Sequence, residues 1–498
     1  MGIVVRQGAK TGVILYVGVL IGALNNLWFF PKFLSPDQIG ILRVLLANEL
    51  LLFAFVQLGT TGFIDRFFPK FKESINKKSA FVQLSLLYPL LGFAVFYTLY
   101  FLFPDIWKSF FAQKSPGVLR YYHLLALLVF LFTYQQILAA FARAHFRIVI
   151  PNFLDNFLLK FLILSMIILL GWQIISFDQV ILGLVLARLL NVLVLIGYLY
   201  QLIPEKIQWG HSLSKSEVKE IITYGLYIVI GGASVIIISN FDTVMIASLI
   251  GTKYAGIYTI AFFIGTVVEM PRRALGQIAV PVISSAWQKN DLAAIKEIYQ
   301  KTSINQLIAG AWALMLILGN IQDLFLIMPK GEVYAQGLYV VVFIGLARFI
   351  DMSIGTNHEI LLYSKYYKFN LLSNVFLASI MIGLNAVLIP IYQLNGAAFA
   401  TLFSLIIFNI IRFVFLWVKY KIQPFTSKTL WALLVIGGTV TITYFLTSLY
   451  AFPPIINIIV TSIIISSLFG TGVLALKLSE DLNQLILKVY QMIRRKRS

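Results

Sequence analysis

The sequence contains no cysteine and only four histidines, His123, His145, His211 and His358, with no ligand spacing such as HxxxH. Disulfides, thiolate metal sites and a cysteine nucleophile are therefore excluded. Charge is scarce as well: 12% of the 498 residues are charged, against about 25% in a soluble protein. Acids are the scarcer sign, with 20 Asp and Glu against 39 Lys and Arg. No phosphate loop of the GxxxxGK[ST] type and no DxD pair stands in a polar segment, so this chain by itself carries no ATP-driven engine. A small-residue cleavage site after a short apolar core is also missing from the opening MGIVVRQGAKTG. The first helix is expected to direct insertion itself.

What the sequence has in abundance is apolar length. It is 60% hydrophobic, with 41 Phe and a mean hydropathy of +0.89, and runs long enough to cross a bilayer recur from end to end. This predicts an all-α polytopic membrane protein of about fourteen helices, starting near Lys10, Gly40, Ala80, Leu119, Ile148, Phe177, Val218, Ala255, Thr302, Val333, Phe369, Asn395, Leu430 and Pro453. With a cytoplasmic N-terminus, about 26 of the 39 Lys and Arg fall in cytoplasmic loops and about 5 in the opposite loops. That asymmetry sets the orientation, both termini inside, and an even helix number. The net charge of +19 thus reads as a topology signal and an attraction to anionic lipids of the inner leaflet, not as a nucleic-acid surface. Residues 478–498 read as a basic amphipathic tail on the inner membrane face, and a similar short helix is expected over Asp291–Tyr299.

An internal repeat sets the domain plan. Leu34, Gly40 and Ile41 align with Ile250, Gly256 and Ile257 at an offset of 216; Phe68–Pro69 align with Val280–Pro281, and Gly183 and Ala187 with Gly396 and Ala400, at nearly the same offset. The expectation is two parallel six-helix bundles forming V-shaped lobes, over residues 1–205 and 206–425. Two additional helices follow over 426–477, and then the tail. Transporters are often built from such repeats, with the substrate between the halves near the bilayer midplane.

The stretch ISNFDTVMIASLIGTKYAGIYTIAFFIGTVVEMPRRALGQIAVPVISSAWQKND places an Asp in one helix, G-x-x-x-x-G-x-Y at the turn, E-x-P in the next helix, then a proline and a charged amphipathic segment. It resembles the second-half signature of polysaccharide flippases in the multidrug/oligosaccharidyl-lipid/polysaccharide exporter superfamily. NGAAFAT at Asn395 fits the same superfamily. The resemblance implies a flippase, not an enzyme, that carries an undecaprenyl-pyrophosphate-linked oligosaccharide from the inner to the outer leaflet of the cytoplasmic membrane. Polysaccharide polymerase or ligase machinery is an implied partner. The peptidoglycan-precursor flippases are similar in layout and share the E-x-P element, and a drug/cation antiporter of the same superfamily is a further alternative. The last would favour acids over arginines in its cavity.

Eight cations lie within the apolar spans: Arg43, Arg120, Lys160, Arg188, Arg272, Arg273, Arg348 and Arg412. A charge at the centre of a membrane helix is costly, so each needs a partner or a wet wall. Arginine presents a planar fork that matches phosphate oxygens, which suits a pyrophosphate head group. The substrate-binding candidates are Arg272, Arg273, Arg188, Arg348 and Arg43. Glu269 stands three and four residues before Arg272 and Arg273 and is expected to pair with at least one of them; Pro271 favours a kink there. Arg348 and Asp351, three apart, share a helix face and read as neutralising one another or serving the substrate. Lys160 has Asp155 near in sequence as an ion-pair partner. Arg188 has no acid nearby in sequence and needs one from elsewhere. Arg120 and Arg412 read as snorkelling to the interface.

Asp242 aligns with Asn26 in the repeat, and each has a second Asn beside it. Asp242, Glu49, Glu269, Asp351, Pro271 and Asn26 are the coupling or gating candidates. No metal site and no cofactor is expected; coupling to protons or Na⁺ through one of these carboxylates is the alternative to a purely structural role.

Overall fold

The computed structural model describes residues 2–202, 208 and 210–484; within it the side chains of residues 2–6, 8–10, 273–275, 277 and 278 lie outside the described set. Every regular element among the described residues is helical. Among the described residues thirteen helical segments are long and apolar enough to cross a membrane, and the longest, Tyr367–Tyr420, is two spans in one. Its break is at Gln393, whose φ of 52° and ψ of −127° leave the helical region. A Cβ on Gly396 would overlap the Leu388 carbonyl oxygen, so this tight return requires glycine. Counted this way there are fourteen spans among the described residues, in line with the hydropathy pattern, and the chain is a multi-pass membrane protein.

We number them in chain order. Spans 1 to 6 are Thr11–Phe33, Pro36–Val56, Ile75–Leu102, Tyr122–Ala144, Val149–Gly171 and Phe177–Leu202. Spans 7 to 10 are Lys215–Leu249, Thr252–Arg272, Leu292–Ile327 and Gly331–Ser353. Spans 11 and 12 cover 367–392 and 394–420, and spans 13 and 14 are Ser427–Thr447 and Pro454–Ala475. Their starts follow local chemistry. Ser35 and Gln38 form a reciprocal capping box ahead of span 2, with Pro36 in its first turn, and Ser214 with Glu217 does the same for span 7. Such boxes satisfy backbone N–H groups that have no partner inside the helix.

Contacts divide the chain into two compact units, Met1–Thr259 and Ile260–Ser498. In the first, Phe63, Phe67, Phe68, Phe71 and Phe81 form an aromatic core with Phe141. Spans 1 and 5 each carry a π-helical turn, Asn25–Phe29 and Leu154–Leu158. Such turns insert one extra residue per helical turn and are common at functional sites. The spans are joined there by polar groups: Asn25 Nδ2 donates to the Lys160 carbonyl at 3.2 Å, and Lys160 Nζ donates to the Gly18 carbonyl at 3.1 Å. Gly18 lets the backbones approach, because a Cβ there would overlap the Asn156 carbonyl oxygen.

In the second unit, span 14 is tied to span 9 by polar rungs: Trp312 to Ser466 (3.1 Å), Asn320 to Ser462 (3.2 Å) and Asn457 to Asp323 (2.5 Å). The short amphipathic helix expected over Asp291–Tyr299 is not separate. It forms the opening turns of span 9, capped by Asp291 onto the Ala294 N–H at 2.9 Å. Most of the expected amphipathic tail lies outside the described residues. Its first residue, Leu478, is buried against spans 9, 13 and 14.

The approach of spans 1 and 5 gives a test of the packing. Gly18→Val is expected to lower the thermal unfolding midpoint in detergent, since overpacking costs about 1–3 kcal/mol. Gly197→Val, with open space around it, is expected to leave the midpoint unchanged. Fluorescence-monitored melting of the two variants measures the contrast.

Candidate functional site

The intramembrane charges gather in two clusters, one per unit. In the first unit Arg188, from the middle of span 6, meets Glu49 of span 2 in a bidentate pair, Nε to Oε1 at 3.0 Å and Nη2 to Oε2 at 2.8 Å. Its Nη1 donates to Gln135 Oε1 at 3.2 Å and lies 3.6 Å from Asp155. Gln135 and Gln136 both donate to the Asp155 carboxylate, and the guanidinium lies over the Phe132 ring at 4.5 Å. The partner that Arg188 requires is therefore 139 residues away in sequence. The pair is sealed, with side-chain exposures of 6% and 0%.

Arg43 of span 2 is arranged differently. It donates from Nη2 to Asn26 in the π-turn of span 1 and lies over the Phe30 ring at 5.4 Å. Its Nε is buried without a partner among the described residues. Asn26 in turn donates to the Gly22 carbonyl at 2.7 Å. The repeat-equivalent Asp242 is buried in span 7 and accepts a hydrogen bond from the Tyr258 hydroxyl at 2.8 Å. Matching positions thus carry an amide facing an arginine and a carboxylate facing a phenol.

In the second unit Arg272 and Arg348 each pair across helices. Glu269 is expected to hold at least one of its near neighbours Arg272 and Arg273; among the described side chains it pairs with Arg348 of span 10 at 3.0 Å, and a pairing with Arg273 lies outside them. Asp351 was expected to share its helix face with Arg348; it instead binds Arg272 of span 8. Two cross-helix pairs thus link spans 8 and 10. The reason is local geometry. A 3₁₀ turn over Val267–Glu269 leads straight into a new helix with Pro271 in its first turn, so Glu269 and Arg272 no longer share one regular helical face. The side chain of Arg273 lies outside the described residues.

Asp351 is held further by Asn409 of span 12, whose Nδ2 donates to Oδ1 at 2.9 Å, and Asn409 Oδ1 accepts from Asn357 at 2.9 Å. The chain of contacts Asn357–Asn409–Asp351–Arg272 crosses four helices. Arg412 does not snorkel. It is buried, donating to Asn370 at 2.6 Å, Asn374 at 2.9 Å and His358 Nδ1 at 3.2 Å, with its guanidinium 3.8 Å over the Phe408 ring. A guanidinium has no acceptor, so His358 must accept at Nδ1 and is neutral there. Arg120, by contrast, is exposed and paired with Asp178, as a cation at a helix end should be.

Asn357, Asn370, Asn374, Asn409, Gln135 and His358 were not singled out from the sequence. Their signal was present, because amides and imidazoles inside apolar spans need partners. Without the tertiary contacts nothing said which of them served charges.

The two clusters differ in access. Arg272–Asp351 and Arg348–Glu269 keep side-chain exposures of 19% and 12%, and of 16% and 28%, whereas Arg188–Glu49 is closed. Truncating one partner of the closed pair strands a buried charge. Glu49→Ala is expected to destabilise by about 3–5 kcal/mol, while a Glu49→Leu/Arg188→Met double variant recovers most of the loss. Comparison of the melting midpoints of these two proteins with Glu269→Ala, expected to shift less, checks the distinction.

Comparison with known proteins agrees with this architecture. Among curated proteins, none matches the sequence. Residues 8–287 match the family model described as "Polysaccharide biosynthesis protein". Two solved structures are similar in fold. One is the lipid II flippase MurJ in an inward closed conformation, with TM-score 0.69 and 13% identity, covering 93% of this chain and 98% of that one. The other is an inward-facing multidrug resistance MATE family transporter of the MOP superfamily, with TM-score 0.63 and 16% identity, covering 83% and 98%. The family model spans more than half of the sequence, and the chain therefore belongs to the polysaccharide biosynthesis protein family, with its membrane spans arranged in a transporter fold.

Proposed function

We propose that the protein is an alternating-access flippase that moves an undecaprenyl-pyrophosphate-linked oligosaccharide from the inner to the outer leaflet of the cytoplasmic membrane, with both termini cytoplasmic. One observation carries the reading. The second unit holds two arginine–carboxylate pairs that bridge spans 8 and 10 and remain partly open. An anionic diphosphate competes with Asp351 for Arg272 and with Glu269 for Arg348, because a guanidinium binds carboxylate and phosphate with the same fork. Binding then frees two carboxylates, which biases the arrangement of spans 8 and 10. An organic cation would instead compete for the carboxylates and leave the arginines unpaired.

The supporting residues follow from the same logic. Asn409 and Asn357 orient Asp351 so that it holds Arg272 without closing over it. Arg43, with one amide partner and a free Nε, is a second candidate for contact with the head group. Arg188, sealed by Glu49, supports the scaffold of the first unit. Asp242 and Asp351 are the carboxylates at which a proton or Na⁺ would act. Anionic lipids of the inner leaflet meet the basic loops, and surface-polysaccharide polymerases or ligases would act on what the flippase delivers.

The test is binding of an undecaprenyl-pyrophosphate sugar to the purified protein. Arg272→Ala and Arg348→Ala are each expected to weaken it at least about tenfold, equivalent to about 1.4 kcal/mol, with unfolding midpoints near that of the parent protein. Preference for lipid II over a shorter-headed undecaprenyl-pyrophosphate sugar would assign the peptidoglycan precursor. Binding of an organic cation that is lost in Glu269→Gln and kept in Arg272→Ala would assign the antiporter and overturn the proposal.

A further inference from the structure

The two segments that the internal repeat aligns, 34–41 and 250–257, touch one another, and they do so reciprocally. A Cβ on Gly40 would overlap the Thr252 carbonyl oxygen and lie 3.1 Å from the Gly256 nitrogen; a Cβ on Gly256 would overlap the Pro36 carbonyl oxygen and lie 3.0 Å from the Gly40 nitrogen. Pro36 stands four residues before Gly40, and Thr252 four before Gly256. The offset of 216 that relates the glycines also relates the carbonyls they meet. This is the self-complementary pattern of a two-fold contact, in which the same patch is used by both partners, here within one chain.

Polar contacts fasten the crossing. Thr252 Oγ1 donates to the carboxylate of Asp37, joining the first turn of span 8 to the first turn of span 2. Beside it Ser115 Oγ donates to the Ala247 carbonyl at 2.6 Å, linking the segment between spans 3 and 4 to the end of span 7. Gly251, with a φ of +117°, forms the sharp turn from span 7 into span 8. Both crossed segments lie at the turns opposite the lysine- and arginine-rich loops.

We propose that this glycine crossing is a latch that holds the repeat-related ends of spans 2 and 8 together on the outward side and releases them when that side opens; its purpose rests on the flippase reading, its existence does not. Small residues in membrane helices allow close van der Waals contact, and apolar burial adds no driving force between helices in lipid. The fastening is therefore weak enough to reverse. Two helices whose backbones touch through glycine have a defined closed position, and the symmetry of the contact lets one rocking motion release both sides at once.

The absence of native cysteine makes the test direct. Lys32→Cys and Lys253→Cys, both exposed and neither among the glycines, carbonyls or hydrogen-bonding side chains of the crossing, are spin-labelled in the full-length protein in liposomes, and their separation is measured by double electron–electron resonance. The labelled protein is expected to show a short separation. Gly256→Ala, which cannot keep the contact, and Asp37→Asn, which weakens its hydrogen bond without adding bulk, are each expected to raise a second, longer separation severalfold. A single short separation in parent, Gly256→Ala and Asp37→Asn alike would make the crossing permanent packing and overturn the latch; a shift in either variant sustains it, and Asp37→Asn decides if Gly256→Ala does not fold. No substrate enters the measurement, so its outcome is independent of what the protein carries.

Discussion

Everything in this protein is organised around the difficulty of keeping a guanidinium inside a membrane. An arginine cannot shed its proton there, so it must be given an acceptor, and the acceptor must come from a neighbouring helix when the sequence nearby is apolar. Three solutions coexist. Arg188 takes a sealed bidentate carboxylate from span 2, Arg412 is solvated by neutral amides and an imidazole, and Arg272 and Arg348 take partly open carboxylates. The first two act as staples, because removing one partner strands a buried group. The last pair is the kind of contact that can be exchanged.

The exchange of partners in the second unit matters because it couples helices. Had Glu269 paired with Arg272, and Asp351 with Arg348, each pair would have been private to its own stretch of chain. Crossing the pairs makes spans 8 and 10 share both charges, and Asn409 and Asn357 extend the linkage to span 12 and to the short helix after span 10. Any anion that claims an arginine then alters the relation between two spans at once. The π-turn of span 1 plays a comparable part in the first unit, since it carries the side-chain amides of Asn25 and Asn26, which reach the Lys160 carbonyl and Arg43.

Glycine contributes the second constraint. In lipid, helices associate through close packing more than through apolar burial, so the places where backbones touch are where the fold is specified. Gly18 against Asn156, Gly396 against Leu388 and the reciprocal Gly40–Gly256 crossing are such places. Each is a position where one added methyl group would force two chain segments apart.

The sequence by itself determined the membrane class, the fourteen spans and the internal repeat. These depend on apolar length, which is a local and additive property of consecutive residues. It also identified most of the charges that stand inside apolar spans, because a charge inside an apolar run is visible without any contact; Arg120, counted among them, lies just ahead of span 4 and is exposed. It did not determine their partners. Spacing pointed Glu269 to Arg272 or Arg273, Arg348 to Asp351 and Arg412 to the interface; among the described side chains only the tertiary structure paired Glu269 with Arg348, Asp351 with Arg272, and Arg412 with two asparagines and an imidazole. The physical reason is that pairing depends on which helix faces meet and on where a helix changes its winding. The 3₁₀ turn before Met270 rotates one set of side chains away from the next, and no period in the sequence announces it. The Gly40–Gly256 equivalence could be read from the repeat, but that the two glycines touch could be learned only from the fold.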